Sequence, residues 1–113
     1  MEIKNAKITS TFLGREDHGI FTFSIFVDIA GGSCCGIGNY ALDYCGENNE
    51  RVFRAKSAEA ISQILDVVGV KSWEELKGKY IRVKDEGWGS TIKAIGNLMS
   101  EKWIDFDEFF NRR

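Results

Sequence analysis

Strict alternation of apolar and polar residues is clearest between Phe21 and Ile29, where Phe21, Phe23, Ile25, Val27 and Ile29 are interleaved with Thr22, Ser24 and Asp28. Period two buries one face of a strand and wets the other, as in an antiparallel sheet covered on one side. Upstream, from Ile3 to Leu13, Ala6, Ile8 and Phe12 share one parity with Ser10 between them, and Thr9, Ser10 and Thr11 favour extended backbone, so a second strand is expected there. The polar, glycine-bracketed segment 14–19 between the two predicts a hairpin. Gly31-Gly32 then turns the chain, and Cys34 to Leu42 reads as a third strand that Gly36 and Gly38 would weaken or bend. Tyr44 to Glu50 reads as a loop.

The period changes after Lys56. Ala58, Ile61, Ile64, Leu65 and Val68 recur at helical spacing, with Ser57 as the expected N-cap, Glu59 in the first turn and Gly69 as the stop. Ser72-Trp73-Glu74-Glu75 has the S-x-x-E pattern of a capping box opening a short helix that Gly78 ends. Tyr80 to Lys84 and Thr91 to Leu98 read as a second hairpin around the turn Asp85 to Ser90. In the tail, Trp103, Phe106, Phe109 and Phe110 fall at spacings that one side of a short helix would present, either docked on the core or facing a partner. The expected architecture is α+β: a small antiparallel sheet of about five strands on one main helix, with short helices near 72–78 and 105–110, residues 1–113 forming one domain.

Composition narrows the function classes. With 113 residues, 43% hydrophobic content and a formal net charge of -2, the chain suits one compact core and argues against a general duplex-DNA coat. No apolar run approaches the roughly 18 residues of a membrane helix, and MEIKNAKITS has no signal-peptide core, so a cytoplasmic protein is expected. Cys34, Cys35 and Cys45 are expected as reduced thiols. The total charge hides an asymmetry: residues 1–50 carry three basic and seven acidic side chains, residues 51–113 twelve basic and ten acidic.

Among candidate sites, Gly31-Gly32-Ser33 and Gly36-Ile37-Gly38 stand out, since glycines let backbone N–H groups surround an anion such as a phosphate. Gly36 to Ala41 formally matches G-x-G-x-x-G/A, but no helix follows, which excludes a dinucleotide fold. The competing reading is a tight turn and a bulged strand. Gly32, Ser33, Gly36, Gly38, Tyr40, Arg51 and Arg54 are therefore the expected ligand-binding set, and Trp103, Phe106 and Phe109 the expected partner-binding set. Lys77, Lys79, Arg82 and Lys84, with Tyr80 and Trp88 near enough to stack on a base, read as an ordinary solvated face beside Asp85 and Glu86. His18 reads as a solvated turn residue. Zinc on Cys34, Cys35, Cys45 and His18 is disfavoured by adjacent cysteines, and no metal or other cofactor is expected. Asp28 and Asp43 end strands on either side of the glycine-rich segment, where paired carboxylates would suit Mg²⁺ or acid–base work.

The strings KITSTFLGREDHGIFTFSIFVDIAGG, GNYALD, VGVKSWEELKGKYIRV and IGNLMSEKWIDF together make a chain that resembles a family of small uncharacterised proteins encoded by phages and prophages. The likeness lies in overall wording, spans nearly the whole chain and transfers no site residue. It implies a setting, the cytoplasm of an infected or lysogenic bacterium, where small accessory proteins are often stoichiometric antagonists of immunity. The expected function is non-enzymatic sequestration of an anionic nucleotide signal. One alternative is inhibition of a bacterial immune effector protein, such as a CRISPR complex, through the aromatic tail and a sheet edge. Another is a small metal-dependent phosphodiesterase-like enzyme using Asp28, Asp43 and His18. A homodimer is a reasonable expectation.

Overall fold

The alternating segments form the strands that their pattern predicts. A computed structural model describes residues 2–16, 18–87 and 91–111. β1 (Glu2–Arg15), β2 (Phe21–Ile29) and β3 (Ser33–Ala41) make two consecutive antiparallel hairpins. A short pair follows, β4 (Asp43–Cys45) with β5 (Arg51–Phe53), then helix α1 (Ser57–Val68), a single 3-10 turn (Trp73–Glu75), β6 (Tyr80–Asp85), β7 (Ala94–Asn97), β8 (Trp103–Asp105) and helix α2 (Phe106–Asn111). β6 pairs back onto β1, giving one antiparallel sheet in the order β3-β2-β1-β6-β7-β8.

The α+β expectation is corrected. The chain is mostly sheet: six strands curl into a half-barrel, a two-stranded sheet extends it, and α1 is the one main helix. Three short strands, β4, β5 and β8, account for the difference. Each has only three residues, too few for alternation to register, and their stretches read instead as loop or helical tail. The short helix expected near 72–78 is the single 3-10 turn; Ser72 there makes no side-chain cap, and the Glu75 carboxylate accepts from the Lys71 N–H at 3.4 Å. The N-cap of α1 is Lys56. Ser57 lies one residue inside and donates its hydroxyl to the carbonyl of Leu42, tying α1 to the end of β3.

Two bulges decide which side chains face inward. Ile8 pairs with Val27 and Ser10 with Phe26, so Thr9 is an extra residue in β1 and the parity of the strand reverses there. Ala6 and Ile8 point into the core, whereas Phe12, expected with them, lies on the outer face. In β3, Ala41 pairs with Thr22 but Gly38 with Ser24, leaving one extra residue that Gly38 (φ 114°) and Asn39 (φ 65°) accommodate with left-handed backbone. The Ser24 hydroxyl fixes this bulge through Asn39 Oδ1 at 2.6 Å.

The inner face carries the core. Ile8, Phe23, Ile25, Ile37, Leu42, Ile81, Val83 and Ile95 from the strands meet Ala60, Ile64 and Val67 of α1 and Phe106 and Phe109 of α2. Gly69 ends α1 in the left-handed conformation, and the Asn97 amide of β7 donates to the Val67 carbonyl at 2.9 Å, so a strand residue satisfies a free helix C-terminal group. Among the described residues no helix is long and apolar enough to cross a membrane.

The two conspicuous glycine pairs behave differently. A Cβ at Gly38 would lie 2.7 Å from the Phe23 carbonyl oxygen in a backbone region that side chains avoid, whereas Gly32 (φ 100°) faces open space. Gly38→Val should cost about 3 kcal/mol or more of stability, and Gly32→Ala about 1 kcal/mol. Urea denaturation of the two variants checks this; equal losses would contradict the bulge geometry.

Candidate functional site

The end of the sheet where β1 hands over to β2 is organised by one carboxylate. Asp43 opens β4, its side chain fully excluded from solvent. Its Oδ1 accepts the Phe21 N–H at 3.0 Å and an Arg51 guanidinium N–H at 2.5 Å; its Oδ2 accepts Arg51 Nε at 3.1 Å and Arg15 at 3.2 Å. Arg15 also donates to the Gly19 carbonyl at 2.9 Å. Arg51 thus grips the acid with a bidentate fork. The Arg51 hydrogen bond, followed by the Phe21 N–H and the remaining cationic field, outweighs burial and holds the Asp43 carboxyl down at about 2.

Beside this clamp lies a pocket of about 290 Å³. Leu13, Phe21, Leu42, Phe53 and Ile61 form its apolar walls, and Arg54 stands at it with no ion-pair partner among the described residues. The pairing of Asp43 with Phe53 carries the Phe53 ring against Phe21, edge to face at 5.3 Å, while 55% of Phe53 remains exposed. The Arg15 guanidinium lies 5.7 Å from the Phe21 ring. Arg15 and Arg51 therefore meet on the Asp43 carboxylate and Arg54 stands beside them at an apolar recess, with Glu16 next to Arg15 and Glu50 next to Arg51 adding acidic groups at this end.

The expected ligand set is not brought together. Gly32 and Ser33 sit at the β2–β3 turn, at the opposite end of β3 from Arg51 and Arg54, roughly 25 Å along a nine-residue strand. Gly36 lies under the Phe26 ring, whose nearest atom a Cβ there would meet at 3.3 Å, and Gly38 makes the bulge. Tyr40 is turned inward, stacked on Phe110 at 4.8 Å, its hydroxyl donating to Asp107 Oδ1 at 2.6 Å. Burial, then the Asp107 contact, pushes the Tyr40 phenol well above its ordinary value. Of the set, Arg51 and Arg54 share one site. The companions that sequence reasoning missed there are Arg15 and Phe53; Asp43 was singled out, but as a partner for Asp28 rather than as the buried acid that binds Arg15 and Arg51.

The expected partner-binding set divides as well. Phe106 is fully buried and Phe109 nearly so, because the tail docks on the core of its own chain. Trp103 lies on β8 and faces the opposite side of the sheet. Asp28 and Asp43 occupy opposite ends of β2 and do not converge; His18, in the 16–20 turn, donates its backbone N–H to Glu16. Among the described residues no three His, Cys, Asp or Glu side chains gather as a metal would need. Asp17, Trp88 and Ser90 lie outside the described residues. The Cys34 thiol donates to Asp28 Oδ1 at 3.0 Å, and that hydrogen bond, reinforced by the charge of Asp28, raises its pKa.

No protein-family profile and no curated protein matches the chain.

Two outcomes follow from these pKa directions. Because folding depresses Asp43, its stabilisation is complete above the unfolded value near 3.8 and is lost as pH falls through about 2. Asp43→Asn should lower Tm at pH 7 by about 10 °C or more, with the gap to the unmodified protein closing below pH 4 in a calorimetric series. A gap independent of pH would refute the clamp. Asp28→Asn, by removing the group that holds the Cys34 proton, should speed alkylation of Cys34 at pH 8 by a thiol reagent, read by mass spectrometry.

Proposed function

We propose that the protein is a non-enzymatic, phage-type anti-defence binder that sequesters a small anionic nucleotide, and that the pocket beside the Asp43 clamp is where it does so. The observation that carries this reading is Arg54, a cation without an ion-pair partner among the described residues, at the mouth of a recess walled by Phe21, Phe53, Leu13 and Leu42. A nucleobase needs a flat apolar surface, which the exposed Phe53 ring and the Phe21 edge supply. A phosphate needs a fork of donors, which the Arg54 guanidinium supplies.

The size of the recess suits one nucleoside unit, at the small end of ligand clefts. Binding without turnover agrees with a site whose one acid is spent on two arginines and a backbone N–H: a carboxylate held at about 2 is a poor proton acceptor near neutral pH. The phage setting rests on the resemblance of the sequence, and sequestration is the activity that such a pocket can perform by occupancy alone.

A panel of cyclic and linear nucleotides, scored by the shift in Tm and by recovery of intact ligand after heating, tests this. The expected result is a shift of several degrees for at least one nucleotide, abolished by Arg54→Glu, reduced about tenfold in affinity by Phe53→Ala, and unaffected by Gly32→Ala. No shift across the panel, or one that survives Arg54→Glu, would overturn the assignment.

A further inference from the structure

The half-barrel has a second face, and both helices lie on the other one. Four aromatic side chains stand on this outer face, three of them over glycines. Phe12 (41% exposed) rests over Gly14, and Phe26 (43% exposed) over Gly36. Trp103 lies flat on Gly96, where a Cβ would meet its ring at 2.5 Å. Tyr80 (55% exposed) opens β6. The register places Asn5, Arg82, Gly96 and Trp103 in one row across four strands, with Cys34, Asp28, Lys7 and Tyr80 in another.

The charge of this face shows what it fits. The Lys7 ammonium lies 5.8 Å from the Tyr80 ring centre, and Lys84 and Arg82 lie 4.8 and 5.0 Å from the Trp103 ring. Arg82 is a strut: it donates to the carbonyls of Asn97 and Ser100 and pairs with Glu101, holding the turn that presents Trp103. Lys7 and Lys84 make no ion pair among the described residues. Acids flank these cations as well: Asp28, opposite Lys7, accepts the Cys34 thiol, Glu101 pairs with Arg82, Asp105 accepts the Glu108 N–H, and Glu86 shares a surface pocket with Lys84.

We propose that the outer face, through Tyr80, Trp103, Lys7 and Lys84, is a binding platform for single-stranded nucleic acid. Rings on an open sheet stack with bases whatever their identity, and the cations beside them meet the phosphates. Tyr80 and Lys84 are four residues apart on one strand, about 13 Å, so the platform follows a chain rather than a single mononucleotide. A second copy of the protein is a poorer occupant, since a two-fold contact across this row would oppose Lys7 and Lys84 with their own equivalents. A rigid duplex offers no splayed bases to these rings.

The experiment is fluorescence anisotropy of labelled 20-nucleotide oligothymidylate and oligouridylate titrated with the full chain, with a duplex of equal length as control. Binding should favour the single strands over the duplex. It should weaken about sevenfold between 50 and 200 mM salt if two phosphates are neutralised. Tyr80→Ala and Lys84→Glu should each cost about tenfold in affinity. These side chains are exposed or at the sheet surface, and circular dichroism checks that both variants stay folded. Arg54→Glu, on the other face, should bind the oligonucleotides as the unmodified protein does, so failure here and failure of the nucleotide pocket are separate results. No anisotropy change at 50 mM salt, affinity unchanged in both face variants, or a two-chain mass in light scattering that Tyr80→Ala reduces to one would overturn the proposal.

Discussion

A carboxylate taken wholly out of water is unfavourable unless its charge is met, and at Asp43 it is met by two guanidinium groups and a backbone N–H. Much of the geometry at that end of the molecule follows from this one group. β4 and β5 have three residues each, too few to persist as an isolated hairpin. The clamp binds them to β1 through Arg15 and to β2 through the Phe21 N–H, making them an extension of the half-barrel. Once they are fixed, Phe53 falls against Phe21, Leu42 is sealed beneath, and Arg54 is left at the margin. The recess is thus a consequence of how an acid was buried.

The bulges have a comparable reach. Without the extra residue at Thr9, β1 would keep one parity, and Phe12 would compete with Leu13 for the inner side near Phe21. With it, Ala6 and Ile8 serve the core in the first half of the strand, while in the second Leu13 lines the pocket and Arg15 joins the Asp43 clamp. The Gly38–Asn39 bulge likewise lets β3 bend while Ile37 stays buried and Tyr40 reaches Asp107. Each bulge changes which of two chemically different faces a residue joins.

What the sequence made legible follows from length and period. β2 carries nine residues that alternate except at Phe26 and α1 twelve of helical spacing with a glycine stop, and both were readable in type and place. β8 was not: Trp103 and Phe106 are three apart, as on one helix face, but the chain changes from strand to helix between them, sending the first ring outward and the second into the core. The glycines of 31–38 were legible as special but not in kind, because a turn, a ring contact and a bulge all select glycine, as phosphate binding would. Arg51 and Arg54 stood out by their charge, yet only tertiary pairing could reveal that Asp43 engages Arg51 and leaves Arg54 without an ion pair among the described residues.

The same logic separates the two faces. Inward, aromatic rings meet aromatic rings: Phe23 touches Tyr40, Trp73, Phe106 and Phe110, and the Tyr40 hydroxyl is tied off by Asp107, whereas the buried Trp73 indole N–H has no hydrogen-bond partner among the described residues. Outward, rings meet glycine beneath and cations beside them, as Trp103 does with Gly96, Arg82 and Lys84. A ring on glycine keeps its hydrophobic area partly covered without being enclosed, and a neighbouring ammonium discourages association with a like surface. That combination lets a sheet of this size leave one face uncovered by its own helices. The α1 and α2 packing closes the inner face, where Ala60, Ile64 and Val67 of α1 and Phe106 and Phe109 of α2 cover the core strands.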